Sequence, residues 1–592
     1  MYRPREPSAS DPETDRPRSA RPDCRHREET VNLTHPNPLL EGVRLWASYY
    51  ARRFLKQARR ANEVQTEVLM AKIRRNRDSD FGRKHRFDAI RSVDDFRAAL
   101  PVSDYEYVRP YIDRCIAGDV GALFGAGTRI RMYALTSGTH SAPKHIPVTD
   151  EFLAEYRMGW RVWGVYTHRD HPGAFVHRIL QVTSSWRESY TDLGVPCGSI
   201  SGLNAYMQPF LMRRRYLPGL ILHEVKDPFA KYYLTARLTI GRQISIIMTA
   251  NPSSILSVVR CVEANAQDLV RDLRDGTLRA GLDIPEPVRQ TLERKLRPDR
   301  RAAKRLDDIL SRKGALLPLD YWPNLAVLAN WKGGSVALYL RDYPRYFGPV
   351  PIRDIGLLAT EGRMTIPLTS EGAGGVLDVA SHFFEFIPMD QLDSPNPETL
   401  LPAQLQPGAC YGIVLTTSSG LYRYNIGDVV RVEGFWEQAP IVTFLSKGRH
   451  TSNLTGEKLT ESQVVEALTQ LARESVSLPD HLLISPQWGV PPRYSVTVES
   501  DSAEKVNWVL ALKRLDELLG RLNIEYRIKR ESGRLAPPSA NLVLPGSFAR
   551  MREEHLQKVG GRREQYKHVY LVPEVDFHRQ FVSTGVIQVQ DP

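Results

Sequence analysis

The chain has 592 residues, of which 42% are hydrophobic and 25% are charged, a composition typical of soluble globular proteins. This length exceeds what one hydrophobic core usually organises, so we expect at least two domains. The formal charge of +12 is thin over so many residues, and the lysines and arginines are not interleaved with aromatic residues in a compact stretch. Charge alone therefore does not predict a nucleic-acid partner.

Residues 1–36 are polar, rich in proline and mixed in charge, and they lack the apolar run of a signal peptide. This composition predicts a disordered tail. No apolar run in the chain reaches the roughly 18 residues that a membrane span needs. The five cysteines form no C-x-x-C pair, which argues against a disulfide framework or a zinc site and for a reducing compartment. We expect a cytoplasmic protein that does not bind membranes.

The large domain is predicted over residues 37–447. Its first segment, from residue 37, repeats apolar residues at helical spacing, and the same pattern predicts a helix over 252–273. The stretch 293–314 is predicted to be an amphipathic helix with a solvated basic face rather than a polyanion site. Apolar, β-branched runs such as "RQISIIMTA", "NLAVLANW", "ACYGIVLTT" and "PIVTFLS" alternate with the helical segments. This alternation predicts an α/β fold with mixed sheets and helices.

The texture changes near residue 447, and a small C-terminal α/β domain is predicted over 448–592. Within it, "PRYSVTVES", "AEKVNWVLALKRLDELLGRLN" and "IEYRIKRES" are interpreted as strand, helix and strand. Gly448 and Arg449 form a short hinge between the two domains in this interpretation.

The stretch "TSGTHSAPK" follows the predicted strand "RIRMY" and is the first candidate site. Backbone N–H groups in a glycine turn bind anionic oxygens, hydroxyls add further donors, and a lysine supplies charge. The candidate phosphate ligands are Thr136, Ser137, Gly138, Thr139 and Lys144. The pattern of a P-loop is absent. A plain solvent loop explains this stretch equally well.

Three further stretches contain candidate residues. The predicted strand "IGLLA" leads into Thr360 and Glu361, where a carboxylate at the end of a strand is placed to hold Mg²⁺ against a phosphate. Asp428, in "YNIGDVV", can accept two hydrogen bonds from the diol of a ribose. Lys567 lies close to a strand near the end of the chain. Taken singly, a lone glutamate is more commonly an exposed turn residue, Gly-Asp is only a turn dipeptide, and a lone lysine is nearly always solvated surface.

The order and spacing of these motifs resemble the acyl-adenylate-forming superfamily. From about residue 40 the chain more closely resembles the auxin-responsive acyl-acid amido synthetases (the Gretchen Hagen family) and their bacterial relatives. The stretches that support this resemblance are "ANEVQTEVLMAKIRRNRDSDFGRKHRF", "DDFRAALPVSDYEYVRPYIDRC", "TSGTHSAPKHIPVT", "GLLATEG", "YRYNIGDVV" and "EQYKH". The resemblance implies a large adenylate-forming domain, a small mobile C-terminal domain, and the cofactors ATP and Mg²⁺.

The resemblance also implies roles for single residues. The residues matching 136–139 grip the phosphates of ATP, Glu361 binds the magnesium ion, and Asp428 holds the ribose. Gly448 and Arg449 match the hinge, and Lys567 matches a lysine that the small domain brings to the nucleotide. "WKGGS" (331–335) falls where the family runs beside the adenine, although this match is loose. His140 departs from the family loop and is expected only to line it, and it is left open whether Arg423 or Asn425 touches the nucleotide.

The function predicted from this resemblance is adenylation of a small carboxylic acid, followed by transfer of the acyl group to the amine of an amino acid. The alternatives are transfer to a thiol such as coenzyme A or a carrier, and a non-catalytic protein that binds nucleotides or nucleic acid. Trp186, Tyr190, Tyr321 and Trp322 are candidates for the lining of an apolar acyl pocket, although aromatic residues are more often plain core. The acid, the amine and the oligomeric state are not readable, and a monomer is the working expectation.

Overall fold

The computed structural model describes residues 38–592, apart from 137–143, 335–338, 341, 393, 449–450, 475–477, 480–481, 504–505, 560–568 and 590–592. The helices are α1 Pro38–Ala58, α2 Ala61–Asn76, α3 Asp80–Lys84, α4 Val93–Ala99, α5 Tyr105–Ile116, α6 Asp150–Asp170, α7 Ile200–Tyr206, α8 Phe210–Arg213, α9 Pro228–Thr239, α10 Pro252–Ala264, α11 Ala266–Asp275, α12 Glu286–Lys295, α13 Arg300–Lys313, α14 Pro318–Tyr321, α15 Tyr343–Phe347, α16 Glu461–Arg473, α17 Ser500–Ala503, α18 Trp508–Leu522, α19 Ile524–Glu531 and α20 Ser547–Val559.

The strands are β1 Ile130–Thr136, β2 Lys144–Thr149, β3 Arg178–Gln181, β4 Ser189–Tyr190, β5 Pro196–Gly198, β6 Tyr216–Leu217, β7 Ile244–Met248, β8 Val327–Asn330, β9 Ile352–Asp354, β10 Thr365–Ile366, β11 Gly375–Leu377, β12 Phe383–Pro388, β13 Cys410–Thr416, β14 Tyr424–Trp436, β15 Ala439–Lys447, β16 Thr451–Ser452, β17 Leu459–Thr460, β18 Leu482–Gln487, β19 Arg493–Glu499, β20 Ser539–Val543 and β21 Ser583–Gln588. The mixed α/β fold predicted from the sequence is confirmed.

A parallel sheet of five strands, in the order β6-β3-β7-β8-β9, forms the centre of one layer. The run "ISIIM" of β7 is buried at every position, as expected for a strand that helices cover on both faces. Helices α9, α10 and α11 contribute buried residues to the hydrophobic cluster around this sheet. All five strands therefore end at one edge, where open α/β sheets bind their ligands.

Two further sheets complete the N-terminal part. An eight-stranded sheet contains the order β10-β11-β15-β14-β13-β12, with β16 and β17 added beyond β15. A four-stranded sheet, β2-β1-β5-β4, contains the hairpin in which Thr136 pairs with Lys144. The N-terminal helices α1 to α6 pack with both sheets into a second buried cluster. The register brings the two ends of the candidate phosphate loop side by side.

The C-terminal part has a core of its own. Its sheet runs β18-β19-β20-β21, and α16 and α18 pack their apolar residues against it. Residues His35–Pro592 nevertheless form one compact unit. Contacts between the parts include the hydrogen bond that Asn251 Nδ2 donates to the carbonyl of Thr455 at 3.0 Å and the edge-to-face rings of Tyr339 and Trp488 at 4.9 Å. The boundary at residue 448 stays a prediction.

Four sequence-based assignments differ from the structure. "IEYRIKRES" is the helix α19 and not a strand, and "IGLLA" lies beyond β9, which already ends at Asp354. The stretch 252–273 forms two helices, because the chain leaves helical geometry at Asn265. The basic stretch 293–314 is also divided: α12 ends at Lys295, and α13 begins at Arg300 after the proline at 298.

No helix in the described part of the chain combines the length and apolar character that crossing a bilayer requires.

Candidate functional site

A crevice of about 730 Å³ opens at the carboxyl edge of the parallel sheet. Each of four strands sends residues into its wall just after the strand ends: Thr183 follows β3, Asn251 follows β7, Trp331 follows β8, and Gly356 follows β9. This is the position in which α/β folds collect ligands. The volume falls within the range of small-molecule and cofactor sites.

Thr360 lines this crevice, and Glu361 follows it directly. Glu361 is 6% exposed. Within the part of the chain that the structure describes, no hydrogen bond or ion pair engages its carboxylate. This carboxylate is therefore available to a cation. Mg²⁺ commonly uses one or two carboxylates, with phosphate oxygens and water completing its shell, so Glu361 fits the predicted metal ligand.

Asp428 also lines the crevice, from within β14 rather than from a turn before it. It is 4% exposed and lies opposite Lys447 in the β14–β15 register. The next residue, Gly448, has φ +59° and donates its N–H to the carbonyl of Gly427 at 2.6 Å. The predicted hinge therefore begins beside the predicted ribose ligand.

Thr136 is the last residue of β1 and Lys144 is the first residue of β2, and the two residues pair across the hairpin. Lys144 Nζ lies 3.4 Å from the hydroxyl of Tyr424 and 5.5 Å from the ring centre of Tyr105. Burial raises the pKa of the Tyr424 phenol well above its usual value, and the charge of Glu361 raises it further. The Tyr424 phenol therefore interacts with Lys144 at the end of the hairpin and with the charge of the Glu361 carboxylate.

Several predicted ligands lie outside the described residues. They are Ser137, Gly138, Thr139, Arg449 and Lys567, and His140, which was expected to line the loop, also lies outside the described residues. The stretch 331–335 is described for its first four residues, and Trp331 and Gly333 line the crevice.

Arg423 is held away from the crevice in a buried ion pair. Its guanidinium contacts both carboxylate oxygens of Glu385 at 3.0 and 3.1 Å and donates to the carbonyl of Leu100 at 2.7 Å. Asn425 accepts a hydrogen bond from the N–H of Gly427 at 2.9 Å. Neither Arg423 nor Asn425 is among the described residues of the crevice wall, and the geometry assigns Arg423 to the core.

The four aromatic candidates for the acyl pocket do not line the crevice among the residues that the structure describes. Tyr321 and Trp322 are fully buried, and Trp322 Nε1 donates to the carbonyl of Thr239 at 3.1 Å, so both belong to the core around the parallel sheet. Trp186 packs on Tyr206 at 4.7 Å, and Tyr190 is 56% exposed. The apolar lining comes from other residues, which include Leu135, Tyr156, Val182, Ile200, Leu357, Leu358 and Phe444.

Helix α19 covers the crevice from the C-terminal part, and sequence analysis missed this role. Glu525, Ile528, Lys529 and Ser532 recur at the spacing of one helix face and line the cavity. Asn523 caps the helix by accepting the N–H of Tyr526 at 2.9 Å. The Asn523 cap was the sequence signal for a helix here.

Asp354, at the end of β9, is a second residue that the motifs did not indicate. Its carboxylate lines the crevice and accepts the N–H groups of Gly356 and Lys332 at 2.6 and 2.7 Å. Burial raises its pKa to about 6, against the opposing effect of these two hydrogen bonds. It fixes the chain at the point where β8 and β9 enter the site.

Three family models match the chain in sequence. They are described as the GH3 family N-terminal domain over residues 50–352, the GH3 family central domain over 375–447 and the GH3 family C-terminal domain over 462–575.

Curated relatives match along most of their length. A jasmonoyl–L-amino acid synthetase of Nicotiana attenuata is 23% identical over 89% of this chain and 94% of its own length. An indole-3-acetic acid-amido synthetase of Arabidopsis thaliana is 21% identical over 87% of this chain and 90% of its own. Among solved structures, an acyl acid amido synthetase named GH3.15 superposes with a TM-score of 0.59 at 19% identity, covering 90% of this chain and 96% of that one. This likeness shows the fold, with a larger N-terminal and a smaller C-terminal domain.

Proposed function

The chain belongs to the GH3 family, and we propose that it is an ATP-dependent acyl-acid amido synthetase that joins a small carboxylic acid to an amino acid. The observation that carries this proposal is the crevice at the carboxyl edge of the parallel sheet, whose wall contains both Thr360 and Asp428, with the buried Glu361 carboxylate next to Thr360 in the chain. The names of the relatives, which are amino acid and acyl acid amido synthetases, support the reaction class.

In the first half-reaction, an oxygen of the substrate carboxylate attacks the α-phosphorus of ATP. A phosphorus–oxygen bond forms, the bond to the β-phosphate oxygen breaks, and pyrophosphate leaves with the bonding electrons. Thr136, Ser137, Gly138, Thr139 and Lys144 are proposed to donate to the phosphate oxygens on which charge accumulates. Each such donor is worth about 3 kcal/mol of transition-state stabilisation.

In the second half-reaction, the uncharged amine of the amino acid attacks the acyl carbon. The carbon–nitrogen bond forms, the carbon–oxygen bond to AMP breaks, and AMP leaves with the electron pair while the nitrogen loses its proton to water. The two steps need different surroundings at one site, and displacement of a small domain supplies them. Gly448 and Arg449 are the proposed hinge, and Lys567 is the proposed lysine that reaches the nucleotide.

Asp428 is proposed to accept hydrogen bonds from both hydroxyls of the ribose. Glu361 is the residue proposed to hold Mg²⁺, which when bound neutralises phosphate charge. The partly enclosed aliphatic and aromatic lining around Tyr156 and Leu358 is proposed to hold the apolar body of the acid. A monomer acting in the cytoplasm completes the proposal.

The experiment measures pyrophosphate release from ATP with panels of carboxylic acids and amino acids, and identifies products by mass spectrometry. We expect release that depends on the acid, and an amide product whose mass matches one acid and one amino acid. Asp428→Ala should reduce release while the fold, measured by circular dichroism, is retained. A thioester formed in the presence of coenzyme A and no amide, or no acid-dependent release across broad panels, contradicts the proposal.

A further inference from the structure

Among the described residues, two cations line the crevice wall with no carboxylate within ion-pair distance of either, although Glu525 and Glu531 line the same wall. Lys231, in the first turn of α9, and Arg534, just beyond α19, both line the cavity. In the part of the chain that the structure describes, the ammonium of Lys231 has no hydrogen bond and no ion pair. The guanidinium of Arg534 donates to the hydroxyl of Ser532 at 2.9 Å and has no carboxylate within ion-pair distance.

The surroundings of these two cations favour an added anion. Burial lowers the pKa of the Lys231 ammonium, and the charge of Arg534 lowers it further against the opposing effect of Glu188. Burial and Arg534 lower the pKa of Lys529 in the same way, although Glu525 lies 3.4 Å from its ammonium. Enclosed like charges are costly together unless an anion lies between them.

Lys231 lies on the β3 side of the crevice. Lys231 also borders a small neighbouring cavity whose wall contains Thr183 after β3 and Leu217 of β6. Thr360, in contrast, follows β9 at the other edge of the same sheet. From β3 to β9 there are three strand spacings, or about 14 Å. The β3 side of the crevice, where Lys231 lies, is therefore about three strand spacings from the end of β9.

We propose that Lys231 and Arg534 bind the carboxylate of the amine acceptor and so select α-amino acids over simple amines. This inference rests on the proposed function, because it assigns the second substrate of that same site. The acceptor lies with its carboxylate between the two cations and its amine directed along the crevice toward the acyl carbon. Lys231 comes from the N-terminal part and Arg534 from the C-terminal part, so the subsite is complete only when both parts meet.

Binding tests the subsite without catalysis. Saturation-transfer NMR is recorded with the standard amino acids, and with their α-carboxamides, on the full chain in the presence of ATP and Mg²⁺. We expect signals for at least one amino acid, and loss of those signals for its carboxamide and for the variants Lys231→Met and Arg534→Gln. Equal signals for the acid and the carboxamide, or signals unchanged in both variants, overturn the inference.

Kinetics separate the subsite from the rest of the reaction. Arg534→Gln should raise the KM for the amino acid by about 10- to 100-fold, as expected for loss of a hydrogen bond to a charged group. In Arg534→Gln, acid-dependent pyrophosphate release measured without the amine should stay at the wild-type rate. Lys231→Arg should have a KM for the amino acid close to that of the wild type, in contrast to Lys231→Met. If pyrophosphate release falls in step with amide formation, the cations serve the phosphates and the inference is wrong.

Arg527→Gln is the matched control. Arg527 lies on α19, seven residues before Arg534, its side chain is 53% exposed, and its nearest carboxylate is Glu531 at 3.8 Å. This variant removes one positive charge from α19 at a position outside the crevice wall, so acceptor binding and KM should match the wild type. A loss of acceptor binding equal to that of Arg534→Gln would show a general effect of charge and overturn the assignment. Absence of any acid-dependent pyrophosphate release contradicts the proposed function, whereas acceptor binding still tests the subsite.

Discussion

Replacement of Arg423 with methionine distinguishes a core residue from a nucleotide ligand. Arg423 is 5% exposed and Glu385 is 1% exposed, and the guanidinium donates to both oxygens of that carboxylate. Methionine keeps much of the volume but leaves Glu385 with Arg97, whose Nε lies 2.9 Å away. Breaking a buried ion pair by removing one partner costs about 3–5 kcal/mol.

The thermal shift follows from the size of the cooperative unit. The entropy of unfolding of a domain of roughly 410 residues is about 0.9 kcal/mol per kelvin. Dividing the loss of about 3–5 kcal/mol in unfolding free energy by this entropy predicts a melting temperature lowered by about 4–6 °C. Differential scanning calorimetry at pH 7 measures the shift. The double variant Arg423→Met with Glu385→Gln should recover part of it, because the fully buried side chain is then uncharged, and Arg97, which loses its carboxylate, is 24% exposed and can be solvated.

Nucleotide binding is the second readout of this variant. Because the guanidinium does not reach the crevice wall, we expect the KM for ATP to stay within about twofold of wild type once temperature is held well below the melting point. A melting temperature within about 1 °C of wild type, combined with a KM for ATP raised about tenfold or more, would refute the structural role and restore Arg423 as a nucleotide ligand.

Three further predictions concern single side chains. Asp428→Asn should raise the KM for ATP about tenfold, because an amide is a weaker acceptor than a carboxylate for the ribose hydroxyls. With 2′,3′-dideoxy-ATP, which lacks these hydroxyls, the KM should be the same for the variant and the wild type. Glu457→Gln should destabilise the C-terminal domain by about 2–3 kcal/mol, measured by calorimetry. The buried Glu457 carboxylate accepts hydrogen bonds from two backbone N–H groups and from the hydroxyl of Tyr494, and an amide cannot accept all of these bonds. An unchanged unfolding transition would contradict this. Burial lowers the pKa of His223 to about 4, and its Nε2 lies 2.8 Å from the hydroxyl of Thr183. The unfolded chain therefore binds this proton more readily, stability is lost as pH falls from about 6.5 toward about 4, and His223→Gln should show a smaller drop in melting temperature between pH 7 and pH 5 than wild type.

The sequence was sufficient to predict strands whose side chains are buried on both faces of a sheet. "ISIIM" and "VLAN" are wholly apolar or nearly so, and both became central strands. It was insufficient where local patterns are ambiguous. Ile524, Tyr526 and Ile528 alternate as in a strand, yet the Asn523 cap makes this segment a helix, and Arg530 pairs with Asp516 at 2.9 Å across the turn.

Backbone geometry explains the error after β9. Gly356 has φ +89°, a conformation that ends an extended strand, and its N–H donates to the side chain of Asp354 two residues earlier. The apolar letters of "IGLLA" therefore line the crevice instead of continuing the sheet. A glycine in an apolar run was a visible but ambiguous sign of such a turn.

For the site, order along the chain indicated Thr360 and Asp428, which the fold brings into one wall. The partners in long-range contacts could not be predicted from the sequence. Arg423 becomes structural only because Leu100 and Glu385 fold around it, and α19 reaches the crevice only because Thr455 docks on Asn251. Such contacts join residues that no local pattern relates.

The cover that α19 places over the crevice links the chemistry to the surrounding solvent. A solute as large as a nucleotide must pass this helix, and the helix is anchored in a body with its own core. In the proposed cycle this body moves, and its motion displaces water over a whole domain surface, which adds friction to the chemical steps. Substrate exchange is thus expected to slow as glycerol or sucrose thickens the medium, even when the intrinsic rate of adenylation is unchanged.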